Sequence, residues 1–413
     1  MKRFLIQNID RTFWTQFLIL VAIAILTLIS ASSTLVYAKG VFDAVGLQLT
    51  LMFTGVVFAY AMQIVPSYWI RFIGYLALGA SILMLYALLI PGMPLAVTLN
   101  GATRWIKVGP LTIQPSEFAK ISLIIVVADL LSRAKTAETK KKYFWWTLGI
   151  TGVTVFPVLT SNLSTALLIC GIVFLMWVLA NIPWKYTLSA AGIAVLFMVA
   201  GYCIVEFGYV RTDRELPSLM GRAETWVNRI DRYIIDDKDA IKTSKFELTD
   251  ANIQEVYANV AIARGGASPL GVLPGNSKER DYLPLAFGDY IFAIFVEETG
   301  IIGAVILIVI YLTILFRACY VSTRFADTAS MLMMMGLALM LTCQALISML
   351  VAVGIMPVTG QPLPMISRGG TSTLLTSLYF GIMMCVSREQ QMLHDRYAQT
   401  IHNSNDDIPE ISL

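Results

Sequence analysis

The sequence predicts an all-α polytopic membrane protein of about ten transmembrane helices. Two observations lead there. The 413 residues are 57% hydrophobic and only 14% charged, too apolar for an ordinary soluble domain and too long for one small bundle. Runs of about twenty apolar residues recur, each long enough to cross a bilayer core as a helix. The net charge of +3 is small and gives no reason to expect nucleic acid as a partner. The chain reads as a single transmembrane domain over 1–413.

In order, spans are expected over 15–37, 47–66, 69–91, 116–132, 143–160, 163–182, 186–208, 299–321, 329–354 and 368–387. The first follows Lys2, Arg3, Asp10 and Arg11. It is too long for a signal-peptide core and has no clear cleavage site, so it reads as a retained helix. The Lys/Arg bias sets the orientation. Arg133, Lys135 and Lys140 to Lys142 follow the fourth span, Lys185, Arg317 and Arg324 lie in loops of the same parity, and Arg388 follows the last span. These residues and both termini read as cytoplasmic, in a bacterial cytoplasmic membrane. Segments 92–115, 209–289 and 355–367 then face outward.

Segment 209–289, between the seventh and eighth spans, is the one large polar region. A loop of this length tends to be functional or to hold helices of its own. Its Arg222–Asp250 half mixes both signs of charge and reads as a solvated face. Glu224, Trp226, Ile230 and Tyr233 have the spacing of a short interfacial helix, and Gln254 to Gly271 reads as a helix ended by Gly265-Gly266, a normal C-terminal stop. The 388–413 tail, rich in Asn, Asp and Gln, reads as cytoplasmic and disordered. Cys170, Cys203, Cys319, Cys343 and Cys385 all fall in apolar runs without CxxC spacing, which argues against a disulfide framework or a zinc site. His394 and His402 both lie in the tail, so a histidine triad or histidine metal site is not expected. No pair of matching broken helices appears, which counts against an inverted-repeat transporter.

Three outward stretches carry the chemistry. Leu283 to Gly300 reads LPLAFGDYIFAIFVEETG and puts Asp289 at a membrane-helix junction, with Glu297 and Glu298 two turns further on. A carboxylate at membrane depth is a functional-site hypothesis by default. Asp289 is equally placed to cap the helix that follows, and both readings stay open here. Gly101 to Lys120 reads GATRWIKVGPLTIQPSEFAK. There Arg104 and Lys107 flank Trp105 as a headgroup-level anchor or an ordinary interfacial belt. Glu117 and Lys120 share a helix face, as a simple ion pair or as the mouth of a substrate groove. Gly354 to Ser372 reads GIMPVTGQPLPMISRGGTS. Its prolines and glycines exclude a regular helix, and non-helical backbone at this depth must be buried in protein or line a cavity. Ser367, Arg368, Thr371 and Ser372 supply donors at the start of the last helix, a fair anion site. The residues alone point to an extracytoplasmic site for an anionic, lipid-linked substrate.

GATRWIKVGPLTIQPSEFAK, ARGGASPLGVLPGN, LPLAFGDYIFAIFVEETGIIG and GIMPVTGQPLPMISRGGTS occur in this order. Together they closely resemble the FtsW/RodA family, the SEDS proteins of bacterial cell-wall growth, over nearly the whole chain. The resemblance implies ten helices, cytoplasmic ends and a large extracytoplasmic loop between the seventh and eighth. It implies a peptidoglycan glycosyltransferase that polymerises lipid II, with Asp289 as catalytic base. The substrate-binding candidates are Arg104, Trp105, Lys107, Glu117, Lys120, Lys278, Arg280, Glu298, Ser367, Arg368 and Thr371. A divalent cation, Mg2+ or Mn2+, is expected beside the diphosphate, with no organic cofactor and no protein metal ligands. The implied partners are lipid II, a class B penicillin-binding protein transpeptidase and other divisome proteins, with the eighth and ninth spans as the candidate contact surface.

There are departures from the family pattern. Gly288-Asp289-Tyr290 stands where Thr-Asp-Phe is common, Arg368 where an aromatic is common, and Ser161-Asn162 where many members have Pro-Asp. Asn162 cannot act as an acid. Leu273 to Ser277 resembles the division form more than the elongation form. The rival readings are an elongation-type polymerase, a lipid II flippase and a scaffold for the transpeptidase. A flippase should carry charges along a path through the bilayer. Here mid-span ionisable residues are few: Asp129 is the clearest, with Arg71 near a span end.

Overall fold

The computed structural model describes residues 10–32, 41–90, 92–99, 102–109, 111–208, 253–279, 288–325 and 327–406. Every predicted span has its helix: α1 Arg11–Ala31, α2 Val41–Met62, α3 Ser67–Ala87, α4 Pro115–Ser132, α5 Ala137–Ser161, α6 Leu163–Leu179 and α7 Trp184–Gly208, then α9 Ile291–Ser322, α10 Thr328–Ala352 and α11 Gly370–Asp406. The short α8, Ile253–Gly266, lies between α7 and α9 and matches the helix read from Gln254 to the Gly265-Gly266 stop. The interfacial helix read around Glu224 to Tyr233 lies outside the described residues. Among the described residues, eight helices are long and apolar enough to cross a membrane. Of the other two predicted spans, α6 is apolar but 17 residues long, and α4 carries Glu117, Lys120 and Asp129. The protein is a multi-pass membrane protein.

Helix α4 sits at the centre. It is buried on nearly its whole circumference, as a helix without a polar face must be, and it packs against α3, α5, α6 and α10. Small residues let the neighbours approach. A Cβ on Gly74 of α3 would stand 2.6 Å from Ile125, and one on Gly336 of α10 would stand 2.7 Å from Ile124.

Segment 92–115 is not a plain anchoring loop. It folds into an antiparallel sheet in the order β1 Ala96–Leu99, β2 Ala102–Val108, β3 Leu111–Ile113. The β-favouring residues Thr103, Trp105, Ile106 and Val108, followed by the turn at Gly109 with φ +62°, are a hairpin signal that apolar run length does not register.

The tail also differs from its reading. Helix α11 continues to Asp406, so residues 388–406 are helical rather than disordered. Polar composition hid this, and hydrogen bonds tie the first residues of the extension to the bundle. Glu389 accepts from Ser67 N at 2.7 Å, and Arg388 donates to the Ile64 carbonyl at 3.3 Å.

The bundle has two chemically distinct ends. At one, Arg317 and Ser387 both donate to Asp10 Oδ2, at 2.9 and 2.7 Å. There too Arg71 meets Asp327 at 3.3 Å and Asp129 at 4.0 Å, and Arg133 meets Asp129 at 2.6 Å. The start of α1 and the late turns of α11 therefore share an end with the basic residues after α4. The other end carries the sheet, the 354–369 loop and Asp289.

Candidate active site

Asp289 precedes α9 by two residues, and Tyr290 is the N-cap of that helix. The Tyr290 side chain makes no capping hydrogen bond. Asp289 is half-buried. It faces the 354–369 loop at Gly360, whose φ is +65°. A Cβ on Gly360 would stand 3.8 Å from Asp289 Oδ2 and 3.8 Å from Arg104 Nη1. The guanidinium and the carboxylate therefore flank one small volume over bare backbone.

Each of the three pieces is held in place. Arg104 projects from β2, and its Nε donates to the Ser161 carbonyl at the end of α5 at 2.9 Å. The Asp289 turn is tied to the loop by Ser367, whose Oγ donates to the Gly288 carbonyl at 3.0 Å and accepts from Leu363 N at 2.8 Å. The loop is strapped from below by Gln344 Nε2, which donates to the Pro362 carbonyl at 3.1 Å. Tyr311 donates to the Pro364 carbonyl, and Gln361 donates to Thr165. Thr359, beside Gly360, has a buried hydroxyl with no hydrogen-bond partner among the described residues.

The predicted site residues separate into three groups. Arg104, Asp289 and Ser367 come together as described. Trp105, Lys107, Arg368 and Thr371 lie on the same end: Trp105 pairs with Val97 in the sheet, Lys107 with Thr112, and Thr371 donates to the Thr112 carbonyl at 3.4 Å. Arg368 is half-buried in the loop just before α11.

Glu117, Lys120 and Glu298 are placed otherwise. Lys120 is fully buried, pairs with Glu117 at 2.7 Å and donates to Gln344 Oε1 at 2.8 Å. The pair lies beneath the loop and does not form an open groove mouth. Glu298 is buried and accepts from Ser30 of α1 and from Gly275 N. Glu297 likewise accepts from Arg264 and Lys278 N, each at 3.2 Å, and from Ser277. The two glutamates fasten the 268–278 segment to α9. The side chain of Lys278 stays exposed, and Arg280 lies outside the described residues.

Close backbone contact explains that fastening. A Cβ on Gly265 would stand 2.2 Å from the Val296 carbonyl, one on Gly271 2.5 Å from the Glu297 carbonyl, and one on Gly300 2.3 Å from the Pro269 carbonyl. Gly300 has φ +70° within α9, so the first turns of that helix bend into the packed junction. Asn162, which replaces an acid in the family pattern, caps α6 by accepting from Thr165 N at 3.2 Å. Gln344, Gln361, Thr359 and Gly360 were not singled out from sequence. The first lies inside an apolar span, and the others act through backbone or through partners distant in the chain.

Asp129 accepts from Tyr75 at 2.8 Å and is paired with Arg133. Its charge is thus satisfied at the end of the bundle opposite Asp289. Among the described residues, no group of three or more His, Cys, Asp or Glu side chains is arranged to hold a metal ion.

The family profile described as "Cell cycle protein", covering FtsW, RodA and SpoVE, matches residues 10–392. A protein of Saccharophagus degradans named probable peptidoglycan glycosyltransferase FtsW is 30% identical over 403 residues, 93% of this chain and 95% of that one. Its namesake from Hahella chejuensis is 31% identical over 353 residues, 83% of this chain and 80% of that one. Escherichia coli peptidoglycan glycosyltransferase MrdB is 27% identical over 299 residues, 71% of this chain and 73% of that one. Among solved structures, one described as "Structural coordination of polymerization and crosslinking by a peptidoglycan synthase complex" matches with a TM-score of 0.69 at 23% identity, over 93% of this chain and 99% of that one. The rod shape determining protein RodA of Thermus thermophilus matches with a TM-score of 0.63 at 20% identity, over 93% and 98%. At those identities the structural likeness speaks for the fold.

Proposed function

The chain belongs to the FtsW/RodA/SpoVE family of cell cycle proteins, and from that membership we propose that it is a peptidoglycan glycosyltransferase polymerising lipid II. The observation that carries the proposal is the small volume at Gly360, flanked by Asp289 Oδ2 and Arg104 Nη1. A sugar hydroxyl attacks an anomeric carbon that bears a lipid diphosphate. The new O–C bond forms, the C–O bond to diphosphate breaks, and the hydroxyl proton passes to Asp289, whose carboxylate flanks this volume. Arg104 is placed to stabilise the charge that develops on the leaving diphosphate. The second carboxylic acid of glycoside hydrolysis is not required, because diphosphate leaves without being protonated.

Among the described residues, a divalent cation would find the Asp289 carboxylate here and would draw further oxygen ligands from diphosphate and water, as Mg2+ commonly does at phosphate sites. It would neutralise diphosphate charge, and no step above is routed through it. We assign the site to the outer face of the cytoplasmic membrane by the Lys/Arg bias, with both termini inside. The Leu273–Ser277 run and the relatives named FtsW support a division role. A class B penicillin-binding protein is the proposed partner, since a polymerised strand must be crosslinked. The satisfied pairing of Asp129 supports surface chemistry over a charged path through the bilayer, and hence polymerase over flippase.

The test is Asp289→Asn assayed with purified protein, its transpeptidase partner and lipid II. The amide cannot take the proton, so glycan synthesis falls by about 100-fold or more, the scale of lost general-base catalysis, while expression and melting temperature hold. Near wild-type synthesis by this variant overturns the base assignment.

A further inference from the structure

A membrane-facing groove runs between α3 and α5, far from Asp289 along α5. It encloses about 530 Å³ and is lined by Ile82, Lys142, Trp145, Trp146, Gly149, Ile150 and Val153. That volume lies within the range of small-ligand sites, about 300–1,000 Å³. Six of the seven lining residues come from one helix at spacings of three and four, so they form one stripe of α5. The order along the stripe is a cation, two indoles, a glycine and then branched aliphatics. From Lys142 to Val153 the helix rises about 16 Å at 1.5 Å per residue. One leaflet of hydrocarbon is about 15 Å deep, half of the ~30 Å core. Cation, aromatic belt and apolar floor thus fall at the levels of a lipid headgroup, its interface and its chain.

We infer that this groove binds one anionic phospholipid of the cytoplasmic leaflet, with its phosphate on Lys142 and an acyl chain along Gly149, Ile150 and Val153. Charge complementarity selects this occupant. Lys142 is exposed and enters no ion pair among the described residues, and Lys140 and Lys141 adjoin it on the same turn. Such a cluster at the bilayer surface attracts anionic headgroups. The floor is open at Gly149, where an added Cβ would meet nothing within 4 Å. Trp145 and Trp146 are 55% and 57% exposed, placed to flank a chain rather than to fill the core. The site is independent of the glycosyltransferase reading.

The experiment is native mass spectrometry of the full-length protein in detergent, titrated with phosphatidylglycerol or with phosphatidylethanolamine of identical chains. The wild type is expected to retain one phosphatidylglycerol with about fivefold preference, the worth of one cation near a headgroup. Lys142→Gln removes the preference but keeps the lipid. Gly149→Leu fills the floor and removes that first lipid whichever headgroup is offered. The fold tolerates this change, because leucine is a better helix former than glycine. Gly171→Leu, at an equally open glycine on α6, leaves retention unchanged. Equal retention of both lipids by the wild type overturns the proposal, as does a headgroup preference that survives Lys142→Gln. A change of oligomeric mass in Gly149→Leu with lipid retention intact marks the groove as a protein contact and overturns it as well.

Discussion

At Gly360 the backbone has φ +65°, and the volume beyond its Cα belongs to Arg104 and Asp289. Alanine there suffers a backbone penalty of about 1–2 kcal/mol and also puts a methyl between guanidinium and carboxylate. Gly354, with φ +72°, suffers the same backbone penalty but faces Asn259 instead, at 3.5 Å. Gly354→Ala and Gly360→Ala should therefore lower the melting temperature alike, while only Gly360→Ala loses about tenfold or more of polymerisation. Equal activity in the two variants would show that the volume at Gly360 is not used.

Lys120 makes a second contrast at the same scale. Buried with Glu117, it is a structural ion pair that braces Gln344 and, through it, Pro362. Lys120→Met strands a buried carboxylate and should cost about 3–5 kcal/mol of stability. Adding Glu117→Gln should return most of it, read as recovery of the melting temperature in detergent. A direct substrate contact would instead leave stability untouched in the single variant. Sequence named both residues and the ion pair, because i,i+3 spacing is local. It could not show that the pair is buried, since the covering element, α10, lies more than 200 residues away in the chain.

Elements were legible wherever apolar length decides them. The ten helices stand where apolar runs of the sequence end or break. The widest departures are α9, which begins at Ile291, eight residues before the predicted span, because Gly300 bends the helix instead of starting it, and α11, which runs on past its apolar stretch to Asp406. The three-stranded sheet escaped because its strands are short and its partners are set by turns. Of the eighth and ninth spans, the candidate partner surface, the eighth is the more exposed. Met335 is buried and α10 is largely enclosed by its neighbours, whereas α9 exposes Ile301, Ile302, Val305, Ile306 and Val309. These lie on one apolar face that the described residues leave uncovered. Photo-crosslinkers at Ile302 or Val305 should capture the single-span transpeptidase in cells, and one at Met335 should not. Capture from Met335 alone would return the contact to α10.

For the molecule as a whole, α5 is the measuring rod. Its 25 residues reach about 37 Å, longer than a ~30 Å hydrocarbon core. At its start stand Lys140 to Lys142, and at its end the Ser161 carbonyl holds Arg104 beside the Asp289 site. The basic cluster and the acidic site are thus on opposite faces of any bilayer that α5 crosses. The same opposition was legible in the sequence, since span parity and Lys/Arg counts need no side-chain geometry. What parity could not supply was the meeting of Arg104, Asp289 and Gly360, which come from three outward segments more than 180 and 70 residues apart in the chain. In the orientation proposed from the positive-inside rule, Lys140 to Lys142 lie in the cytoplasm and Asp289 on the outer side. With the five native cysteines replaced, a cysteine at Ala267, exposed just after α8, should react with a membrane-impermeant maleimide in intact spheroplasts. One at Thr139, half-buried in the first turn of α5, should react only once the membrane is opened. Reversed labelling would turn Asp289 toward the cytoplasm and remove the basis for polymerisation at the outer face.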